Sequence, residues 1–392
     1  MRGSTVVGVR RKAIWDARAL HVLYDILGLI LIAVGMLDVF LTVLAYDASG
    51  LVVEPGYRLF WRGIDASARH LPVGIGAVLR SIGAPLMVIG SVATWMALQI
   101  VGFALLYLPG ITGDGFDLHG LPGNFWTALY VSGSTISGLT FAGAEPAHGA
   151  YFYLEAVETL VGVTILSLAI AYVLGLYGVV QDAAVARVTM QNYAAREDSA
   201  ANLLAPHFHA PSIEGLSVLW RDLHANLAVY MEGMRRYPVA YYFHTRHRNR
   251  SLPATLRLTA EAASAVRWAL PPDHPAVRDP WLPGLLEAYQ QAEREITERF
   301  LITAPLPVDP VADRLAFEEH AEDRGARFHP SIEAFCEVQA IMAGMAGTEE
   351  RPAVEDFERY RQWWGFVGPA RAFAAAVATD FGAVDPDPME GA

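Results

Sequence analysis

Lysine and cysteine are almost missing from this chain of 392 residues, and charged residues make up only 18% of it. Lys12 is the only lysine and Cys336 the only cysteine. A single cysteine excludes an intramolecular disulfide and a zinc site built from cysteines. Acids outnumber bases, and most of the net charge of −12 lies in residues 186–392, with 20 bases and 29 acids. Because phosphate binding needs clustered positive charge, we expect no nucleic acid among the partners.

Long apolar runs are what the sequence does have, and hydrophobic residues make up 53% of it. Three stretches reach the about 20 mostly apolar residues that a helix needs to cross about 30 Å of hydrocarbon. They lie at Val22–Tyr46, Gly83–Leu108 and Tyr151–Val180. Such runs satisfy their backbone hydrogen bonds in lipid only as helices. The sequence therefore predicts an all-α membrane protein with three spans.

Between the second and third spans lies a segment, Asn124–Ser137, that is moderately apolar but too short to cross a bilayer. Glycine- and proline-rich chain flanks it at Pro109–Gly123 and Gly138–Pro146. Non-helical backbone at membrane depth occurs only where it is buried in protein or lines a watery cavity. One interpretation is a compact loop resting on the outer membrane surface. We favour the other, a short re-entrant helix followed by an extended strand.

Several motifs in this region resemble the potassium-channel superfamily. The run Phe125-Trp126-Thr127-Ala128-Leu129-Tyr130 is similar to the opening of its pore helix, and Ser137–Pro146 stands where its selectivity filter lies. The first span, ending in Leu37–Leu44, and the third span resemble those of a bacterial subgroup with an extra leading span. The resemblance covers roughly residues 20–255.

The resemblance implies a homotetrameric pore-loop channel in the bacterial inner membrane, built from an outer helix, a pore helix, a filter and an inner helix. Membrane lipids and the permeant ions, K⁺ or Na⁺, would be its other partners. We expect no cofactor, no metal site and no enzymatic activity, because no nucleophile–base pair, metal cluster or phosphate-binding loop stands out. The predicted ion pathway consists of Ser137, Gly138, Leu139, Thr140, Phe141, Ala142 and Gly143.

The filter departs from the family at two positions where glycine is expected, which here carry Thr140 and Ala142. A potassium filter turns successive carbonyls inward, and glycine adopts the necessary dihedral angles freely. A left-handed conformation costs other residues about 1–2 kcal/mol each, or about 8–16 kcal/mol for two positions in four chains. We therefore expect a channel that discriminates weakly among monovalent cations. The alternative is a non-conducting membrane scaffold or sensor that retains the fold.

Charge supports a cation pathway independently, because no Arg or Lys occurs from residue 81 to residue 186. Glu145, Asp114 and Asp117 are expected at the outer mouth, although loop acids can also be merely solvated. Glu155 and Glu158 begin the third span on one face. We expect Glu155, with Trp126, to support the filter by bonding the pore-helix backbone. A favourable interaction with the helix dipole is the competing role.

The third span also predicts the lining of an inner cavity, through small and weakly polar residues that recur at spacings of three or four. Gly162 and Gly175 are either hinges or sites of close helix packing. In the first span, Asp38 requires a partner, either for a structural hydrogen bond or for proton or ion handling. The residues expected to line the cavity are Thr164, Ser167, Ala171 and Gly175.

The chain organisation follows from these assignments. A pore loop that enters from outside places the C-terminal part in the cytoplasm and, with three spans, the N-terminus outside. Residues 1–82 are predicted to hold the N-terminal tail, the first span and an amphipathic interfacial helix at Tyr57–Leu79. The pore domain is predicted at 83–183 (helix 83–108, pore helix 124–137, filter 137–146, inner helix 151–183), and a helical cytoplasmic domain punctuated by prolines at 184–392.

Overall fold

The computed structural model describes residues 3–45, 50–139, 143–193, 199–209, 212–243, 251–321, 329–348 and 354–382. The chain divides into two compact units, Met1–Tyr57 with Pro85–Leu176, and Arg58–Ala84 with Tyr177–Ala392. Within the described ranges the structure is mostly helical, and the strands are two antiparallel pairs of two residues each. The prediction of a helical protein is confirmed.

Three helices in the first half of the chain are long and apolar enough to cross a membrane, at Ala19–Val43, Gly74–Thr112 and Gly149–Asp182. They confirm the number and the places of the predicted spans. The elements of this half are α1 (Gly3–Val43), α2 (Val53–Arg69), α3 (Val73–Thr112), β1 (Phe116–Asp117), α4 (Phe125–Ile136), β2 (Glu145–Pro146) and α5 (Gly149–Tyr193).

Helices α1 and α3 approach closely because glycines face each other where they meet. A Cβ atom on Gly28 would lie 2.7 Å from the carbonyl oxygen of Gly102. A Cβ atom on Gly102 would lie 2.7 Å from Cγ1 of Ile32. Small residues allow two helix backbones to come together in a membrane, where packing rather than hydrophobicity drives association. Glycine at these positions therefore fixes α1 against α3.

Asp38 adds a polar link to the same pair of helices, and its side chain is fully buried. Oδ2 accepts a hydrogen bond from Nε1 of Trp95 on α3 at 2.7 Å. Oδ1 accepts another from the backbone N–H of Val52 at 2.7 Å, immediately before α2. The partner that the sequence required for Asp38 is therefore an indole on the neighbouring span, together with a backbone donor.

Helix α2 is amphipathic, as the sequence predicts, but it is shorter than predicted. Leu59 and Phe60 are exposed on one side. On the other side, the Tyr57 hydroxyl lies 3.1 Å from the hydroxyls of both Ser91 and Tyr172. Burial of this phenol raises the pKa of Tyr57 above its usual value, so it stays neutral and hydrogen-bonded.

The prediction of one helix from Tyr57 to Leu79 is wrong in its extent. Helix α2 ends at Arg69, and α3 begins at Val73. Pro72 lies between them; it has no N–H to donate, and its ring disfavours a helical conformation at the residue before it. The second half of the predicted interfacial helix therefore belongs to the beginning of α3.

The second unit contains most of the remaining helices, and α12 packs against α8 while α7 packs against α9. A cluster of buried aromatic side chains, including Phe317, Phe335, Tyr360 and Trp363, joins α10, α11 and α12. The elements are α6 (Ala200–Leu204), β3 (Phe208–His209), β4 (Ser212–Ile213), α7 (Leu216–Arg236), α8 (Leu252–Ser264, continued by a π-helical turn at Ala265–Ala269), α9 (Trp281–Arg299), α10 (Arg314–Ala321), α11 (Pro330–Ala346) and α12 (Phe357–Asp380).

A buried carboxylate ends α12 and holds the chain that follows α9. Asp380 is 4% exposed, and its two oxygens accept hydrogen bonds of 2.8 Å from the backbone N–H groups of Ile302 and Thr303. The Tyr241 hydroxyl donates a third bond at 3.1 Å. One side chain thus satisfies two backbone donors that would otherwise be buried without partners.

We expect the substitution Asp380→Ala to destabilise the second unit by about 2–6 kcal/mol, because two buried backbone N–H groups lose their acceptor at about 1–3 kcal/mol each. Thermal unfolding of the purified protein, followed by circular dichroism, measures the effect. Glu287→Ala is the matched control, because Glu287 is an exposed acid on α9. Equal melting temperatures for the two variants would contradict the role given to Asp380.

Candidate functional site

Helix α4 is a short helix whose two ends are capped by residues next to it in the chain. At its beginning, the side chain of Asn124 accepts a hydrogen bond of 3.1 Å from the backbone N–H of Thr127. At its end, the N–H of Leu139 bonds the carbonyl of Ser134 at 3.1 Å. Gly138 has a φ of +74°, the left-handed conformation that this helix end requires and that glycine adopts at no steric cost.

The end of α4 lies deep along the helices that flank it. The Ser132 hydroxyl bonds the carbonyl of Ile100, 12 residues before the end of α3, at 2.9 Å. A Cβ atom on Gly162 would overlap the carbonyl oxygen of Ile136. Gly162 lies 13 residues beyond the start of α5, about 20 Å along its axis at ~1.5 Å per residue. Helix α4 has 12 residues and is about 18 Å long.

The chain that enters with α4 returns to the place from which it came. Strand β1, before α4, pairs antiparallel with β2, before α5, with Phe116 opposite Pro146 and Asp117 opposite Glu145. We call Asp117–Glu145 the inserted segment. It begins and ends at the same two-residue sheet, while its helix reaches the middle of α3 and α5.

Glu158 on α5 connects all three helices of this arrangement. It is fully buried, and its Oε2 accepts a hydrogen bond of 2.6 Å from the Tyr107 hydroxyl on α3. Its Oε1 lies 2.5 Å from the Ser132 hydroxyl on α4. The next residue, Thr159, donates a hydrogen bond of 3.3 Å to the carbonyl of Thr135. Helix α4 is therefore bonded to both of its neighbours.

The support that the sequence assigned to Glu155 is provided, among the described contacts, by Glu158 and Thr159. Trp126, the other expected support, is 73% exposed and does not pack into the core of its own chain. A signal for Glu158 was present in the sequence, because it lies 7, 11 and 14 residues before Ile165, Ala169 and Tyr172, and these positions share one face of a helix.

The predicted ion pathway is described at both of its ends. Ser137, Gly138 and Leu139 follow the end of α4 and are exposed on this chain, and Gly143 precedes β2. Thr140, Phe141 and Ala142 lie outside the described residues. The pathway therefore begins where α4 ends, at the depth of Gly162.

The acids expected at the outer mouth are all exposed, and two of them are neighbours. Asp117 and Glu145 occupy directly opposite positions of the β1–β2 pair. Side chains so placed have Cβ atoms about 4.5–5.5 Å apart. Asp114 lies between the end of α3 and β1. These three carboxylates mark the end of the helices at which the inserted segment begins.

The residues expected to line an inner cavity occupy a side of α5 that the rest of the chain leaves largely uncovered. The hydroxyls of Thr164 and Ser167 bond back to the carbonyls of Leu160 and Val163, each at 2.8 Å. Ala171 is exposed, and Gly175 is partly exposed. Over the described part of the chain, no group of three or more His, Cys, Asp or Glu side chains is arranged to hold a metal ion.

We expect Gly162→Ala to displace the end of α4, because the added methyl group would occupy the position of the Ile136 carbonyl oxygen. Overpacking of this kind costs about 1–3 kcal/mol. The control is Gly178→Ala on the same helix, where an added Cβ meets nothing within 4 Å. Thermal unfolding in detergent should show a lower melting temperature for Gly162→Ala alone. A Gly162→Ala protein as stable as the control would contradict this packing.

Comparison with known proteins gives no match: no family model matches the chain, and no curated protein or solved structure matches it significantly. The resemblance to the potassium-channel superfamily stays a prediction from the motifs named above.

Proposed function

We propose that the chain is the subunit of a homotetrameric channel that passes monovalent cations, of the potassium-channel type but with an atypical and weakly selective filter. The observation that carries the proposal is the inserted segment. A 12-residue helix lies between two membrane-crossing helices, and the chain enters and leaves it at one end of the helix pair. Irregular backbone is tolerated at such depth only where protein surrounds it or water reaches it.

The direction of α4 suits a cation. Its C-terminal end, which carries the negative end of the helix dipole, lies at the depth of Gly162. Ser137, Gly138 and Leu139 continue from this end and are exposed on the single chain. Four copies around an axis would direct four negative helix ends towards the beginning of the ion pathway.

The distribution of charge points the same way. From residue 81 to residue 186 the chain has six acids and no Arg or Lys. Asp117 and Glu145 are opposite each other and exposed. Rings of carboxylates attract cations and repel anions, so repetition by symmetry would favour cation entry.

Assembly from several copies is supported by the surface of α5. One chain leaves large apolar side chains of this helix exposed, among them Leu160 at 67%, Leu166 at 60% and Leu174 at 69%. Exposed apolar surface of this extent requires lipid or another subunit against it. A filter built from rings of carbonyls also requires more than one chain to enclose an ion.

The first test is electrical recording from the purified protein in a lipid bilayer with potassium on one side and sodium on the other. We expect a current whose reversal potential follows the cations and is unchanged when the chloride gradient is varied. Phe141→Ala, within the predicted pathway, should change the conductance, and Gly178→Ala should not. A folded tetramer that passes no current would favour the non-conducting scaffold or sensor.

The weak selectivity has a separate test in the double variant Thr140→Gly, Ala142→Gly, which restores glycine at both filter positions. Removing the strain of a left-handed conformation at these residues should increase the preference for potassium over sodium. A gain of about 1.4 kcal/mol in discrimination corresponds to about tenfold in the permeability ratio. Ala144→Gly is the control. An unchanged ratio in the double variant would show that these residues do not form the filter.

A further inference from the structure

The buried carboxyl group of Glu158 has more hydrogen-bonding neighbours than ionised chemistry can satisfy. Tyr107 donates to Oε2 at 2.6 Å, which uses the only hydrogen of that hydroxyl. The Ser132 hydroxyl lies 2.9 Å from the carbonyl oxygen of Ile100 and 2.5 Å from Oε1 of Glu158. Both of these oxygens are acceptors if Glu158 is a carboxylate.

Counting hydrogens identifies the donor in each pair. A serine hydroxyl has one hydrogen to donate and two lone pairs to accept with. If Ser132 donates to Ile100, then its 2.5 Å contact with Oε1 needs a hydrogen that only Glu158 can supply. The three contacts are all satisfied when Tyr107 donates to Oε2, Glu158 to Ser132, and Ser132 to Ile100.

No positive charge is available to stabilise a carboxylate at this position. The helices packed around Glu158 are α3, α4 and α5, and none of them carries Arg or Lys between residues 81 and 186. Tyr107 faces it from α3 and Ser132 from α4, and the nearest acid along α5 is Glu155, one turn earlier. An ionised carboxylate buried without a counter-ion is so unfavourable that such groups take up a proton instead.

We propose that Glu158 is a neutral carboxylic acid that donates its proton to Ser132 and acts as the positioning residue of α4. It bonds α4 to α3 and α5 without placing a fixed negative charge beside the ion pathway. Its significance for permeation rests on the proposed function, whereas its protonation and its bond to Ser132 do not. The proposal separates Glu158 from Asp117 and Glu145, whose exposed carboxylates remain available to cations.

Infrared spectroscopy of the full-length protein in lipid vesicles at neutral pH tests the proposal. A protonated carboxylic acid has a C=O stretching band that an ionised carboxylate lacks. We expect this band in the difference spectrum of wild type minus Glu158→Gln and not in that of wild type minus Glu155→Gln. No acid band in the Glu158→Gln difference would overturn the proposal.

The variant Ser132→Ala tests the bond itself and serves if Glu158→Gln does not assemble. Removing the acceptor should shift the Glu158 acid band to a higher frequency, and a band at the wild-type position would overturn the proposal. The positioning role predicts that Glu158→Gln, which keeps a donor and an acceptor, melts near wild type, whereas Glu158→Ala melts well below it. Equal melting of the Gln and Ala variants would overturn that role.

The two proposals fail in different ways. An acid band in a tetramer that passes no current would refute the channel and leave the neutral Glu158 in place. A cation current from a protein without the acid band would do the reverse. In a conducting protein, Glu158→Gln should leave the reversal potential within the error of wild type, because it changes no charge at neutral pH.

Discussion

The constraint on which this arrangement depends is the insertion of a short helix between membrane-crossing helices. Its polar groups reach a depth where lipid cannot hydrogen-bond them, so partners must come from the protein. Asn124 and Gly138 cap α4 locally. Glu158 and Thr159 then bond it from α5, and Ile100 accepts from Ser132 on α3. The depth of α4, and with it the beginning of the proposed ion pathway, follows from these few contacts.

Close packing is as important here as hydrogen bonding, and glycine provides it at two levels. Gly162 lets the last carbonyl of α4 lie directly on α5. Gly28 and Gly102 bring α1 against α3, and Asp38 adds its bond to Trp95 nearby. Apolar side chains gain little by leaving lipid for another helix, so shape and polar contacts determine which helices associate.

Much of the fold could be predicted because its signals are local. Apolar length predicts the three spans, and the short apolar run at Asn124–Ser137 predicts a helix that does not cross. Pro72 was an available signal whose effect was missed, and the amphipathic helix ends before it. Which carboxylate bonds α4 was harder to predict, since Glu155 and Glu158 are one turn apart and only the packing angle and depth of α4 separate them.

The sequence by itself determined the membrane spans, the acid-only charge of residues 81–186 and the glycine that ends α4, because length, composition and backbone freedom belong to the chain. The tertiary structure decided which residues meet: Glu158 with Tyr107 and Ser132, Gly162 with Ile136, and Asp117 with Glu145. These contacts join residues between 26 and 51 positions apart. The rotation and depth of each helix therefore determine them, and both are set by packing against the other helices.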